Sequence, residues 1–506
     1  MLSTAMIFGD GMILQREKPI SVWGTSDPFS CVEIDFDGSH VTTAAGSDGK
    51  WEVQLPPHPA SKGLNMTIRS GAEELTFRYI AVGEVWIAGG QSNMEFYLGF
   101  EKHYEEIAAT YESMDVRFFD YPETSFEEEL SIRNYVHEGF WRYSTREDLA
   151  YFSAVAFYFA RYLQNEIQVP VGIVGCNWGG TTASAWLDPE CLEGTPGEVW
   201  LEDYRKVAGS DDRSIILEKY LANPLTDTSN RLADPYNIRS MKIGFSPEQQ
   251  AEEMRNFEAA GDLSCFVHTG RPGGLYNAML KKVAPYTARG VIWYQGESDG
   301  DFHPEAYADV LTRMIGCWRD LWSEDLPFLL VQLAPFEKWM QCVGDNYGIV
   351  RDCQEEVSRT VPGTWITTTG DVGMQWDIHP KNKLPIGERL ALLALGHVYG
   401  RDILCDPPAA QSVRMEGDCV VITFRNGDGL HIEGDHLHAF QVELENGEVR
   451  SAEDAEVSGD QLIVSLKGIA SSPAAVRFAR ENYYEVNLYN AAGIPTLPFR
   501  MTVTRH

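Results

Sequence analysis

Three absences narrow the class of this chain before any motif is read. Its nine cysteines (31, 176, 191, 265, 317, 342, 353, 405 and 419) are scattered, odd in number, and include no C-x-x-C pair. That argues against a disulfide framework or a zinc site and suits reduced, mostly buried thiols. No stretch approaches the ~18 uncharged apolar residues of a membrane-crossing helix. Positive charge is scarce: 41 Lys and Arg stand against 74 Asp and Glu, a formal net charge of -33. Nucleic acid and anionic membrane surfaces repel such a field, so neither is an expected partner. The opening residues, Met1 to Asp10, carry no basic segment followed by an apolar core. No export signal is visible, and a cytoplasmic location is the expectation.

What is present is an ordinary globular composition, 44% apolar and 23% charged, over 506 residues. That length exceeds a single hydrophobic core, so several domains are expected. Residues 1–80 alternate short β-rich runs (Ile20–Trp23, Val32–Phe36, Trp51–Leu55, Met66–Ile68) with turn signals, which predicts a small β-sandwich-like region. From 81 to 400 the pattern becomes strand–helix alternation. Apolar runs at Val85–Ala88, Val116–Phe119, Val171–Gly175, Val291–Gln295, Phe328–Leu333 and Trp365–Thr369 are separated by helix-period segments at Ser153–Ile167, Pro304–Leu321, Gly348–Thr360 and Ile386–Tyr399. This predicts an α/β fold around a parallel sheet covered on both faces. Residues 195–265 break the alternation and read as a charged, partly helical insertion (Ser214–Tyr220, Pro247–Ala260), expected to be a solvated excursion. Residues 401–506 return to strands and hairpin turns, a second β-domain.

The chemistry is concentrated where apolar runs end. Val85–Ala88 stops at Gly89-Gly90, and a hydroxyl, Ser92, follows. A serine on a sharp turn at a strand end is a candidate nucleophile, and equally a turn former. It needs a base and an orienting group. His379 lies in the loop after Trp365–Thr369, with Asp377 two residues earlier and able to share its face in extended chain. His58, His103, His268, His431, His436 and His438 read as surface residues. Donors for a developing oxyanion are offered by Asn177-Trp178-Gly179-Gly180 and by Gln295-Gly296-Glu297.

Gly90-Gln91-Ser92-Asn93-Met94, Trp178-Gly179-Gly180-Thr181, Trp293-Tyr294-Gln295-Gly296-Glu297-Ser298 and Asp377-Ile378-His379-Pro380 stand in this order along the chain. The set resembles the sequence blocks of the sialate O-acetylesterase family, a branch of the SGNH hydrolases. Gly11 to Arg16, Val22-Trp23-Gly24, Leu275-Tyr276-Asn277 and Asn487 to Arg500 extend the likeness over nearly the whole chain outside 195–265. The resemblance implies an SGNH-hydrolase-like three-layer αβα core, with Ser92 as nucleophile, His379 as general base and Asp377 orienting it. It places the oxyanion on the Ser92 N–H, one glycine of the Gly179-Gly180 pair and the Gln295 side chain. In the wider clan the acid stands three residues before the histidine. Here that position is Trp376, so orientation by a main-chain carbonyl stays open.

The expected function is a serine esterase removing O-acetyl groups from a sugar, sialic acid first, with no metal or organic cofactor. An acetylesterase on plant polysaccharide and a non-catalytic carbohydrate-binding protein are the alternatives. Gln91, Asn93, Asn177 and Trp178 flank the reacting groups; Glu297 reads as a structural carboxylate. Arg271 is a candidate for a substrate carboxylate, and Arg351 with Gln354 for pocket lining.

Overall fold

The computed structural model describes residues 1–208, 217–218, 231–260, 268–340, 342–468 and 473–503; of 256–260 it describes the backbone alone. The insertion helix expected at Ser214–Tyr220 lies largely outside these residues. The chain divides into two compact units: Met1–Lys242, Asp262–Ser298 and Asp309–Phe328 form one, and Ile243–Gly261, Asp299–Ala308 and Leu329–His506 the other.

In the first unit the strand Glu73–Gly90 is 18 residues long. Its first half pairs antiparallel with Ser61–Ser70 in the N-terminal β-region, and its second half runs parallel to Val171–Asn177 and Gly290–Tyr294. Residue 80, where the sequence pattern changes, is therefore mid-strand. The sheet order here is Trp141–Ser144, Ser113–Asp120, Val171–Asn177, Glu73–Gly90, Gly290–Tyr294. Val171–Asn177 and Gly290–Tyr294 are buried at every position, as near-continuous apolar parallel strands require. Trp141–Ser144 joins the outer edge antiparallel. The second half of Glu73–Gly90 thus has later parallel strands on both sides, the arrangement that opens a crevice at strand C-terminal ends. Ser92 sits at that end. Trp293 packs edge-on against both Trp186 and Trp318, giving the layer beneath it a rigid aromatic centre.

Helix Ala154–Ile167 begins where expected, its Ser153 hydroxyl accepting the Ala156 N–H at 3.2 Å. In the second unit, strands Phe328–Val331 and Thr364–Thr367 are neighbours, accompanied by helices Tyr347–Thr360 and Leu384–Leu393. The expected helix Ile386–Tyr399 is interrupted: its last turn, Ala394–Val398, is a π-turn. Beyond it lie two four-stranded antiparallel sheets sharing one apolar core that includes Val420, Ile422, Val442, Leu462 and Val476. No helix among the described residues is long and apolar enough to cross a membrane.

Candidate active site

Ser92 opens a four-residue helical turn, Ser92–Glu95, directly after the strand. The turn depends on Gly90, whose φ of 141° lies in the range that favours glycine, and a Cβ there would strike the Tyr294 carbonyl. Gln91 fixes the turn to the next loop. Its side-chain Oε1 accepts from the N–H groups of Gly296 (3.3 Å) and Ser298 (3.2 Å) and from Gln295 Nε2 (3.2 Å). Asn93, fully buried, donates to the Glu297 carboxylate. Glu297 is 3% exposed.

The second loop crosses Ser92 closely. A Cβ built on Gly179 would lie 3.3 Å from Ser92 Cβ and 3.1 Å from Glu95 Oε2, so only glycine approaches this near without displacement. The Trp178 N–H donates to the Gly90 carbonyl at 3.1 Å, and Asn177 Nδ2 to Ala88 O at 3.0 Å. Gly180 has φ 73°, and a Cβ added there would meet nothing within 4 Å. Gly179 N–H donates to Glu95 Oε2 at 2.6 Å. Gln295 is wholly buried and its amide also donates to Thr181 O at 3.1 Å. Two of the three donors expected for an oxyanion, Gly179 N–H and the Gln295 amide, thus carry protein hydrogen bonds, and Gln295 is a strut between Gln91 and the glycine loop.

Sequence reading missed what lies behind Glu95. Arg231 pairs with both Glu95 and Glu123, while Arg142 pairs with Asp120. Glu95, Asp120, Glu123 and Glu138 line one small cavity, so four carboxylates share two guanidiniums. Burial, with Arg231 opposing it and Glu123 adding to it, pushes Glu95 up to about 7. Burial and then the Glu123 charge push Glu138 up to about 8. These residues are spread over 137 positions and share no motif. Arg231 also corrects the reading of 195–265 as a solvated excursion: its guanidinium is buried against the turn that carries Ser92.

In the second unit, Asp377 and His379 are both 3% exposed. Asp377 Oδ1 accepts the His379 backbone N–H at 2.8 Å and stands 3.5 Å from its Nδ1, while Lys381 Nζ reaches Oδ2 at 2.8 Å. The Trp339 ring meets the imidazole edge-on at 5.1 Å. Burial holds His379 below the usual histidine range, against the pull of Asp377, so the ring is neutral at neutral pH. Burial raises Asp377, but the His379 hydrogen bond and the Lys381 charge outweigh it and keep the carboxyl ionised. Gln250, on the insertion helix Pro247–Ala260, donates to Trp376 O and accepts from the Met340 N–H, both at 2.8 Å. This part of the excursion braces the loop of Asp377.

Other expected roles change. Arg351 and Gln354 are core residues, 2% and 1% exposed, with Gln354 accepting the Leu333 N–H and Arg351 stacked over Tyr484. Gln354 also donates to the Val331 carbonyl and Arg351 to that of Glu481, both at 3.3 Å, inward partners that helix periodicity alone cannot reveal. Arg271 is held by the Ser125 carbonyl and the Phe126 ring. His268, read as a surface residue, is 4% exposed and bonds Glu129 at 3.0 Å, edge-on to Trp178.

Residues 259–394 match the family model described as carbohydrate esterase, sialic acid-specific acetylesterase. Over this span the chain is similar to the sialic acid-specific acetylesterases. The matched span holds Gln295, Asp377 and His379. Likeness to whole relatives extends further. The sialate O-acetylesterase of Rattus norvegicus is 25% identical, covering 97% of this chain and 93% of that protein. That of Homo sapiens is 22% identical, covering 99% and 92%. The crystal structure of a novel carbohydrate acetylesterase from Xanthomonas citri superposes with a TM-score of 0.75 at 27% identity, covering 99% of each chain. These matches support a carboxylic ester hydrolase, and the α/β fold with added β-regions agrees.

Proposed function

We propose that the chain hydrolyses O-acetyl groups on a sugar, sialic acid first, through an acetyl-enzyme on Ser92. In the proposed cycle neutral His379 takes the Ser92 proton as the hydroxyl attacks the acetyl carbonyl. The oxyanion gathers on the Ser92 and Gly179 N–H groups, Glu95 releasing the latter, with Gln295 holding the loops in register. Protonated His379 returns its proton to the departing sugar oxygen. Water, deprotonated by the same imidazole, then cleaves the acetyl-enzyme and acetate leaves. Asp377, fixed by Lys381, keeps the His379 segment in place.

The observation that carries this reading is the hydroxyl of Ser92 on a glycine-dependent turn at a sheet switch point, with Gly179 pressed against it. The family match and the relatives' names point to the same ester. The test is acetate release from O-acetylated sialic acid, acetylated xylan and a simple chromogenic acetate. Release from the first, lowered by several orders of magnitude in a folded Ser92→Ala variant, supports it. Preference for xylan moves the substrate to plant polysaccharide. Glycan binding without release from any of the three replaces the enzyme by a binding protein.

A further inference from the structure

The second unit carries a cluster that the esterase mechanism does not use. His397 lies in the π-turn Ala394–Val398, and Cys405 with Asp406 follows in the next loop. His397 Nε2 is 2.9 and 3.0 Å from the two Asp406 oxygens, and Cys405 Sγ is 3.5 Å from Nε2 and 3.8 Å from Asp406 Oδ2. All three donor atoms lie within 4.8 Å of one another.

We propose that His397, Cys405 and Asp406 form a binding site for a divalent transition cation of the zinc class.

The argument is geometric. A tetrahedral ion with N and O ligands at about 2.0 Å and S at about 2.3 Å needs ligand edges of about 3.3 Å (N to O) and about 3.5 Å (to S). The nitrogen–sulfur edge already has this length, and the carboxylate must withdraw by a few tenths of an ångström. Imidazole, thiolate and carboxylate together are a borderline donor set that suits zinc. The approach is built: a Cβ at Gly396 would overlap the Cys405 sulfur, so glycine at that position admits the thiol. The imidazole is stacked on Trp365, centroids 4.6 Å apart and planes within 11°. Asn490 Nδ2, fully buried, holds the Asp406 carbonyl at 3.0 Å. Such supporting contacts orient metal ligands, and π-turns recur at functional sites. Cys405 is buried while His397 and Asp406 are partly exposed, which gives the ion a way in and leaves a fourth position for water. A plain His–Asp hydrogen bond would account for two of the groups. It does not require the sulfur to converge on the same nitrogen.

The experiment uses the full chain, stripped by chelator and titrated with cobalt(II) at pH 8, followed by zinc retention through dialysis. One equivalent per chain is expected, with a near-ultraviolet thiolate-to-cobalt band. Asp406→Asn and His397→Gln, both partly exposed, should lower affinity at least tenfold, and Cys405→Ser should abolish the band. Cys191, whose sulfur lies 2.9 Å from that of Cys317, is the control thiol, and Cys191→Ser should retain both signals. No band with no retained metal, or binding unchanged in Asp406→Asn and His397→Gln, overturns the site.

Discussion

Gly179 and Gly180 stand side by side in one loop, and replacing each by alanine separates geometry at the nucleophile from backbone strain. At Gly179 the new methyl would meet Ser92 Cβ at 3.3 Å and Glu95 Oε2 at 3.1 Å, so the loop must retreat by a few tenths of an ångström. A donor displaced that far should lower kcat about tenfold, and one lost outright by about 10²- to 10³-fold. Stability should change little, because this backbone is not in the left-handed region. At Gly180 the φ of 73° is unfavourable for alanine by about 1–2 kcal/mol, yet nothing lies within contact of the added methyl. Gly180→Ala should therefore melt earlier and keep kcat within about threefold. The assay is turnover of a chromogenic acetate alongside thermal unfolding of both variants. Full activity in Gly179→Ala, or the greater kcat loss in Gly180→Ala, would refute the role given to this loop.

Asp377→Asn keeps an acceptor for the His379 N–H and should cost about 10- to 10²-fold in kcat, less than His379→Ala; an equal loss would make Asp377 indispensable to the base. Activity should fail as pH drops through the His379 value, which burial places below the ordinary 6.5. Lys381→Met removes a charge that holds that value down and should move the acid limb of kcat/KM upward; a limb unmoved or lowered contradicts the arrangement. For Glu138 the folded carboxyl is raised from 4.5 to about 8, so the native state keeps a proton that the unfolded chain has released. Stability should fall as pH rises across that interval and then level off. In Glu138→Gln this decline should shrink by about 1–2 kcal/mol, read from denaturant unfolding at pH 5 and pH 9. Identical slopes in both proteins would exclude a shared proton.

Much of the sheet was legible because a strand buried on both faces leaves an unbroken apolar run, as at Val171–Asn177 and Gly290–Tyr294. Trp141–Ser144 escaped notice since an edge strand can carry Arg142 and Ser144 without breaking a pattern. The π-turn at Ala394–Val398 escaped because its residues continue the helical period. Ser92 and Gly179 were readable as local exceptions, a hydroxyl and a glycine pair at strand ends. The carboxylates around Arg231 were not, since Glu95, Asp120, Glu123 and Glu138 come together only through the fold. Arg351 and Gln354 show the converse: polar residues on a helix stripe are uninformative until their partners are known. The His397 cluster has a seven-residue gap before Cys405-Asp406 that matches no familiar ligand spacing.

Glu73–Gly90 has a consequence for anyone who trims this protein. A chain begun at residue 81 would lose the half-strand that mates with Ser61–Ser70 and leave the support of Ser92 with a frayed, sticky end. The amino-terminal strands are thus part of the scaffold beneath Ser92 rather than cargo attached to it, and shortened versions should be cut elsewhere.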